Sequence, residues 1–274
     1  MAPLISIVIA NYNYGHYLED AIRSVIDQDV DDVVELIICD GGSTDNSVDI
    51  IKKYDDKIAW LCSEKDEGQS DAFNKGFVQA KGKYLTWLNA DDVMFKGCLK
   101  KVLRILNEHP EEEWFTGNYC CYTANGRVIG IGWGPHWYPK WMQHRNSPIV
   151  VFGPSSIFSK RLFEKMGGFD TNMHLMMDTD MWVRFIVSGV KQRRISQFIW
   201  CFRMHEKSKT AEFGSHKVSS ETVVRISKET NLMLSKTRYN PSKLWRMLSL
   251  GMRVVDGSLI RKWFYKLMFR RMPV

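Results

Sequence analysis

Four short apolar runs, at residues 4–10, 35–40, 58–62 and 84–88, are separated by stretches with helical patterning. This alternation constrains the chain more than any other feature. Strands followed by helices of about ten to fifteen residues imply right-handed crossovers and a parallel, doubly wound sheet. Residues 17–27 predict the first helix. A second runs from the Gly41-Gly42 turn to residue 54, with Ser43 or Thr44 as its cap. A third, at residues 69–80, carries Ala72, Phe73, Gly76, Phe77 and Ala80 as a stripe that packs back on the sheet.

The fourth run has no charge in residues 84–88 and reads as a strand buried on both faces. Asn89-Ala90-Asp91-Asp92 follows it directly. Ligands bind outside the carboxyl ends of strands in open α/β sheets. These residues are either a solvated turn or oxygen ligands for a hard divalent cation. Acids recur at the ends of the second run (Asp40) and third run (Asp66), so three successive strand ends form one acidic cleft. Such a cleft repels a bare phosphate, and a nucleoside diphosphate needs a metal to enter it. No G-x-G-x-x-G follows the first run and no P-loop occurs, which excludes the usual dinucleotide and P-loop nucleotide sites.

The second half is less regular. Residues 114–123 predict a strand and residues 124–127 a hairpin turn. Trp133, Trp137, Tyr138 and Trp141 either form a sugar-stacking platform or pack a loop down. Residues 153–158 predict a strand and residues 160–166 a short helix. A longer helix at residues 178–188 has Asp178 at its N-cap, where the carboxylate either caps amides or serves as a general base. Residues 198–204 predict a last strand, and His205 after it is a candidate metal ligand.

Composition sets the compartment and the partners. The six cysteines show no metal-type spacing, which fits a reduced, intracellular protein. The first apolar run is too short for a signal or a span, and no later segment reaches transmembrane length. Net charge is +7, yet residues 236–274 alone hold ten Lys/Arg against one acid. Preceding residues therefore sum to −2, and the basic tail calls for an anionic partner. Residues 219–233 predict a helix. Residues 244–269 interleave Trp, Phe and Leu with Lys and Arg, either an amphipathic helix on an anionic membrane surface or a helix packed on the domain.

Taken together, the segments Ser6–Asn13, Asp40-Gly-Gly-Ser-Thr-Asp45, Asp66-x-Gly68, Asn89–Asp92, Asp178-x-Asp-Met-Trp-Val-Arg184 and Phe202-Arg-Met-His205 resemble the family 2 inverting glycosyltransferases of the GT-A fold. Within them the chain is similar to bacterial enzymes of O-antigen, capsule and exopolysaccharide synthesis. The resemblance implies a Rossmann-like, mostly parallel α/β catalytic domain over residues 1–212, with a helical basic extension over residues 213–274. It implies a nucleotide-diphosphate sugar donor, UDP-linked by preference, and a saccharide or lipid-linked acceptor in the cytoplasm or on the inner membrane face. By resemblance Asn11, Tyr12, Asp40, Asp66 and Asn89 bind the nucleotide, Tyr12 by stacking and Asp40 by accepting a ring N–H. Asp91 holds Mg²⁺ or Mn²⁺ with His205. Asn89 replaces the first Asp of the family's D-x-D motif, which leaves the cation fewer charges. Asp178 takes the position of the base, with Asp180 as its rival because Met177 replaces the usual Glu. A nucleic-acid role leaves the acidic cleft unexplained. A sugar nucleotidyltransferase would need a Gly-rich, Arg-containing loop after the first strand that is missing here. Turnover of a nucleotide sugar separates an enzyme from an inactive binder.

Overall fold

The computed structural model describes residues 2–30, 33–132, 153–206, 208 and 219–239. In chain order the strands and helices are β1 (Ile5–Asn11), α1 (Gly15–Ile26), β2 (Val34–Asp40), α2 (Ser47–Lys52), β3 (Ile58–Ser63), α3 (Gln69–Gln79), β4 (Tyr84–Asn89) and β5 (Val93–Met94). Then come α4 (Cys98–Glu108), β6 (Trp114–Thr123), β7 (Val128–Gly132), β8 (Ser156–Ser159), α5 (Lys160–Lys165), α6 (Met177–Val187), β9 (Arg193–Met204) and α7 (Ser220–Thr237).

Among the described residues nine strands form one sheet in the order β3-β2-β1-β4-β8-β6-β9-β5, with β7 on β6. β1 pairs in parallel with both β2 and β4, and β2 with β3. β8 is antiparallel to β4 and β6, while β6 and β9 are parallel. The sheet is therefore mixed but mostly parallel.

Alternation along the central strands supplies both layers. Ile5, Ile7 and Ile9 of β1 face α1, α2 and α4 in one apolar cluster, and Val8 faces α3 in the other. That second cluster also takes Met181, Trp182 and Phe185 of α6 and Met233 of α7. Trp182 stacks between Trp87 of β4 and Trp114 of β6, at centroid separations of 5.7 and 5.6 Å. These rings fix α6 to the sheet.

Several expectations shift. The strand expected at residues 153–158 starts at Ser156, because Gly153–Ser155 is a 3₁₀ turn with Gly153 at φ +35°. The second helix starts at Ser47, and neither Ser43 nor Thr44 caps it; Asp45 accepts the Ser47 N–H instead, at 3.0 Å. β9 begins five residues before the expected strand. α4 was not expected; it buries Cys98, Leu99, Val102 and Leu106 on one face. The aromatic segment at 133–141, the proposed boundary at residue 212 and the tail at 244–269 lie outside the described residues. Among the described residues no helix is long and apolar enough to cross a membrane.

Candidate functional site

The carboxyl ends of β1 and β4, the turn after β3, the start of α6 and the last part of β9 enclose a cleft of about 320 Å³. Asn11, Tyr12, Asp66, Asn89, Asp91 and Asp178 all line it. Distant parts of the chain meet here because parallel strands deliver their carboxyl ends to one edge.

On the β1 side, Asn11 is buried and donates through Nδ2 to Asp40 Oδ1 at 2.7 Å and to Ser43 Oγ at 3.1 Å. Its own Oδ1 is buried with no hydrogen-bond partner. A buried acceptor left open at a cleft wall suits a ligand N–H. Tyr12 is 58% exposed at the rim, an aromatic face available for stacking.

Asp40 is placed differently from its expected role. It does not line the cleft, and its carboxylate accepts from Asn11 Nδ2, Ser43 N, Ser43 Oγ and Ser63 Oγ at 2.5–3.0 Å. Burial works against its ionisation, yet the hydrogen bonds from Ser43, Ser63 and Asn11 prevail and hold it below the usual carboxylate range. Four donors fill the acceptor sites of a carboxylate. A nucleobase N–H would have to displace one of them.

Asp66 folds its Oδ1 back to the N–H of Gly68, at 2.9 Å. Its Oδ2 lies 2.6 Å from where a Cβ on residue 41 would stand, so Gly41 is needed for this approach.

At the end of β4 the two acids separate. Asp92 is fully buried and accepts from Arg203 N at 2.9 Å and Asn89 Nδ2 at 2.8 Å. Burial first, then the neighbouring charge of Asp91, pushes its carboxyl well above the usual range. Asn89 bridges to Gln69, which donates to its Oδ1 at 2.6 Å. The amide that replaces an acid here thus links Asp92 to the start of α3. Asp91 faces the cleft and meets His205 Nε2 at 3.0 Å through Oδ2. Tyr14 stands beside this pair, its hydroxyl pushed up to about 12 by burial and by Asp91.

Among the described residues no group of three or more His, Cys, Asp or Glu converges to hold a metal. Neighbouring ligands of an octahedral cation, each roughly 2.1 Å from it, lie roughly 3.0 Å apart. That is the separation of Asp91 and His205. The pair fits a cation whose remaining positions go to phosphate oxygens and water, as is usual for Mg²⁺.

Asp178 lines the same cleft, whereas His205 reaches it only through Asp91. Asp178 was expected at the N-cap, but Met176 takes that position and Asp178 lies in the first turn of α6. Its Oδ1 accepts from Thr179 N at 2.6 Å and its Oδ2 from Gly153 N at 3.2 Å. Burial raises its carboxyl above the ordinary value, against the lowering effect of these bonds. Asp180 is 1% exposed, does not line the cleft, and pairs with Arg184 at 2.7 Å. Arg184 also donates to the carbonyls of Met166 and Gly168, so the pair ties down the preceding loop.

Three participants escaped the sequence reading. Gln69 and His174 line the cleft without any motif to mark them. Arg203 was quoted only as part of a motif. Its guanidinium lies between the rings of Tyr17 and Tyr122, at 4.7 and 5.1 Å, and donates to Asp91 O and to Asp20. A lone cation inside an apolar strand was the available signal.

Known proteins resemble this arrangement. The chain is 29% identical over 191 residues to an uncharacterized glycosyltransferase of Rickettsia prowazekii, covering 67% of this chain and 59% of that protein. It thus spans about three fifths of that relative's length. It is 36% identical over 130 residues to the putative teichuronic acid biosynthesis glycosyltransferase TuaG of Bacillus subtilis, covering 46% of this chain and 51% of TuaG. Among solved structures, S. aureus TarS 1–349 in complex with UDP-GlcNAc superposes with a TM-score of 0.62 at 18% identity, over 81% of this chain and 64% of that one. The mannosyltransferase PcManGT of Pyrobaculum calidifontis, in complex with GDP-Man and Mn²⁺, gives 0.56 at 14% identity over 98% and 85%. Both likenesses support the GT-A fold. The model of glycosyl transferase family 2 matches residues 6–167, more than half of the chain, and the chain belongs to that family.

Proposed function

We propose that this glycosyltransferase inverts the anomeric centre of a nucleotide-diphosphate sugar as it transfers the sugar to a hydroxyl of a saccharide or lipid-linked saccharide acceptor. The observation that carries this reading is that one cleft is lined by both Asp91, which meets His205 at 3.0 Å, and Asp178. In the proposed reaction the acceptor O–H attacks the anomeric carbon and passes its proton to an oxygen of Asp178. The bond from that carbon to the diphosphate oxygen breaks, and the nucleoside diphosphate leaves with the electron pair. A single carboxylate on the face opposite the leaving group gives inversion. Asp91 and His205 would hold Mg²⁺ or Mn²⁺, which when bound would supply positive charge against the departing diphosphate.

Asn11 Oδ1, Tyr12, Asp66 and Asn89 then receive the nucleoside, while Asp40 holds Asn11 in place. UDP is favoured because the TarS neighbour is in complex with UDP-GlcNAc. Cell-surface polysaccharide synthesis is favoured by the likeness to TuaG. The six free cysteines accord with a cytoplasmic setting. The basic residues 236–274 favour contact with an anionic membrane surface over nucleic acid.

Calorimetry with UDP tests the centre of the reading. UDP should bind in the presence of Mn²⁺ and lose at least tenfold in affinity with chelator or in Asp91→Ala. Equal binding with and without Mn²⁺ would remove the cation from the site.

A further inference from the structure

The cleft wall that carries Asp178 is held by a residue far outside the matched family segment. Glu229 sits in the second half of α7, is 3% exposed, and turns its carboxylate toward the chain just before α6. Oε1 accepts from His174 N at 3.1 Å, and Oε2 accepts from Leu175 N at 3.0 Å and Met176 N at 2.9 Å. Among the described residues no Lys, Arg or His forms an ion pair with it, although buried acids are almost always paired. Its partners are the amides of one short segment.

Those amides belong to the residues that build the wall. His174, Leu175, Met177 and Asp178 line the cleft, and Met176 is the N-cap of α6 with no side-chain cap of its own. A helix start leaves backbone donors unsatisfied and carries positive partial charge, which suits an anion. Glu229 supplies that anion from another helix. Ser70 of α3 completes the clamp by donating to Met173 O at 2.9 Å.

We infer that Glu229 is a positioning residue: it fixes residues 174–176 and, through them, aims Asp178 at the cleft. The inference rests on the assignment of Asp178 as base for its catalytic consequence, and on geometry alone for the clamp. A carboxylate is required rather than an amide of the same shape. Glutamine offers one acceptor oxygen, and its NH₂ would face backbone N–H groups.

The test compares Glu229→Gln, Glu229→Asp and Asp178→Asn with the intact chain, using UDP-GlcNAc with Mn²⁺ as probe. UDP release to water gives kcat and KM, calorimetry gives UDP affinity, and amide hydrogen exchange reports residues 174–176. Glu229→Gln should speed exchange at these three amides at least tenfold and lower kcat at least tenfold, while UDP affinity stays within twofold. Glu229→Asp, which keeps the acceptors, should recover part of both losses. A folded Glu229→Gln protein with unchanged exchange and kcat would overturn the inference. Full turnover in Asp178→Asn with altered exchange in Glu229→Gln would overturn the base assignment and leave the clamp standing. Should Glu229→Gln fail to fold, the unmodified chain decides, since rapid exchange at His174, Leu175 and Met176 excludes the clamp and protection supports it.

Discussion

Asp178 and Asp180 stand two positions apart on α6, yet their surroundings differ. Asp178 opens on the cleft, whereas Asp180 is enclosed with Arg184. Asp178→Asn should keep UDP affinity and lower kcat by about 10²–10⁴, the usual worth of a general base. Asp180→Asn should instead lower stability by about 1.5–3 kcal/mol in urea unfolding, the range for a hydrogen bond to a charged group, with a smaller effect on kcat. The opposite ranking in a turnover assay would move the base to Asp180. Burial raises the Asp178 carboxyl, and the base acts only when ionised. Activity should therefore rise with pH through a value above the ordinary carboxylate range and fall away below it. A pH profile of kcat/KM that stays flat into the normal carboxylate range would contradict this. Asn11, Asp66, Asn89, Asp91 and Asp178, which line the cleft, were legible as candidates because each follows a strand or opens a helix. What each side chain touches was not. Asp40 and Asp91 both end strands, but a neighbouring strand and two serines take up the first while His205 meets the second. Such cross-chain partners leave no local periodicity.

At the level of elements, the first four strands and three of the helices were legible from period and length alone; β1, β2 and β4 bury nearly every residue, and even β3, with no fully buried residue, keeps its apolar run. α4 was missed although it buries four residues at helical spacing, because the chain between residues 93 and 110 lacks a strand run to frame it. The register of α3 on the sheet depends on Gly76. A Cβ there would stand 2.5 Å from Val8 Cγ1 and 2.9 Å from Cys39 Sγ. Alanine favours a helix interior over glycine by about 1 kcal/mol. Overpacking a tight core typically costs about 1–3 kcal/mol. The clash should win, so Gly76→Ala should lower the urea midpoint and loosen the Gln69–Asn89 contact at the head of the same helix. A raised midpoint would show that α3 has room to move outward.

On the scale of the whole molecule, charge divides the chain, with −2 before residue 236 and +9 from residue 236 onward. Lys and Arg near an anionic leaflet contribute about 1 kcal/mol each, and salt screens the attraction. The intact protein should pellet with anionic but not neutral vesicles, and less so as salt rises. A chain ending after Asn240 should stay in the supernatant. The cut belongs there because Tyr239 is buried in the same cluster as α6 and Trp182. Equal sedimentation of the two chains would remove the membrane from the reading. The position of β9 has a consequence for how the protein comes into being. β5 pairs only with β9 among the described strands, and Asp91 meets His205 across 114 positions of sequence. During synthesis at roughly 5–20 residues per second, β1 to β4 can assemble while the far side of the cleft is still unmade. The nascent chain carries Asp91 without His205 for the time taken to add those residues. Closing so long a loop is slow relative to local helix formation. Full nucleotide affinity therefore belongs to the last stage of folding, and a ribosome-bound chain stopped before β9 should hold a native-like front half that takes up UDP at least tenfold more weakly.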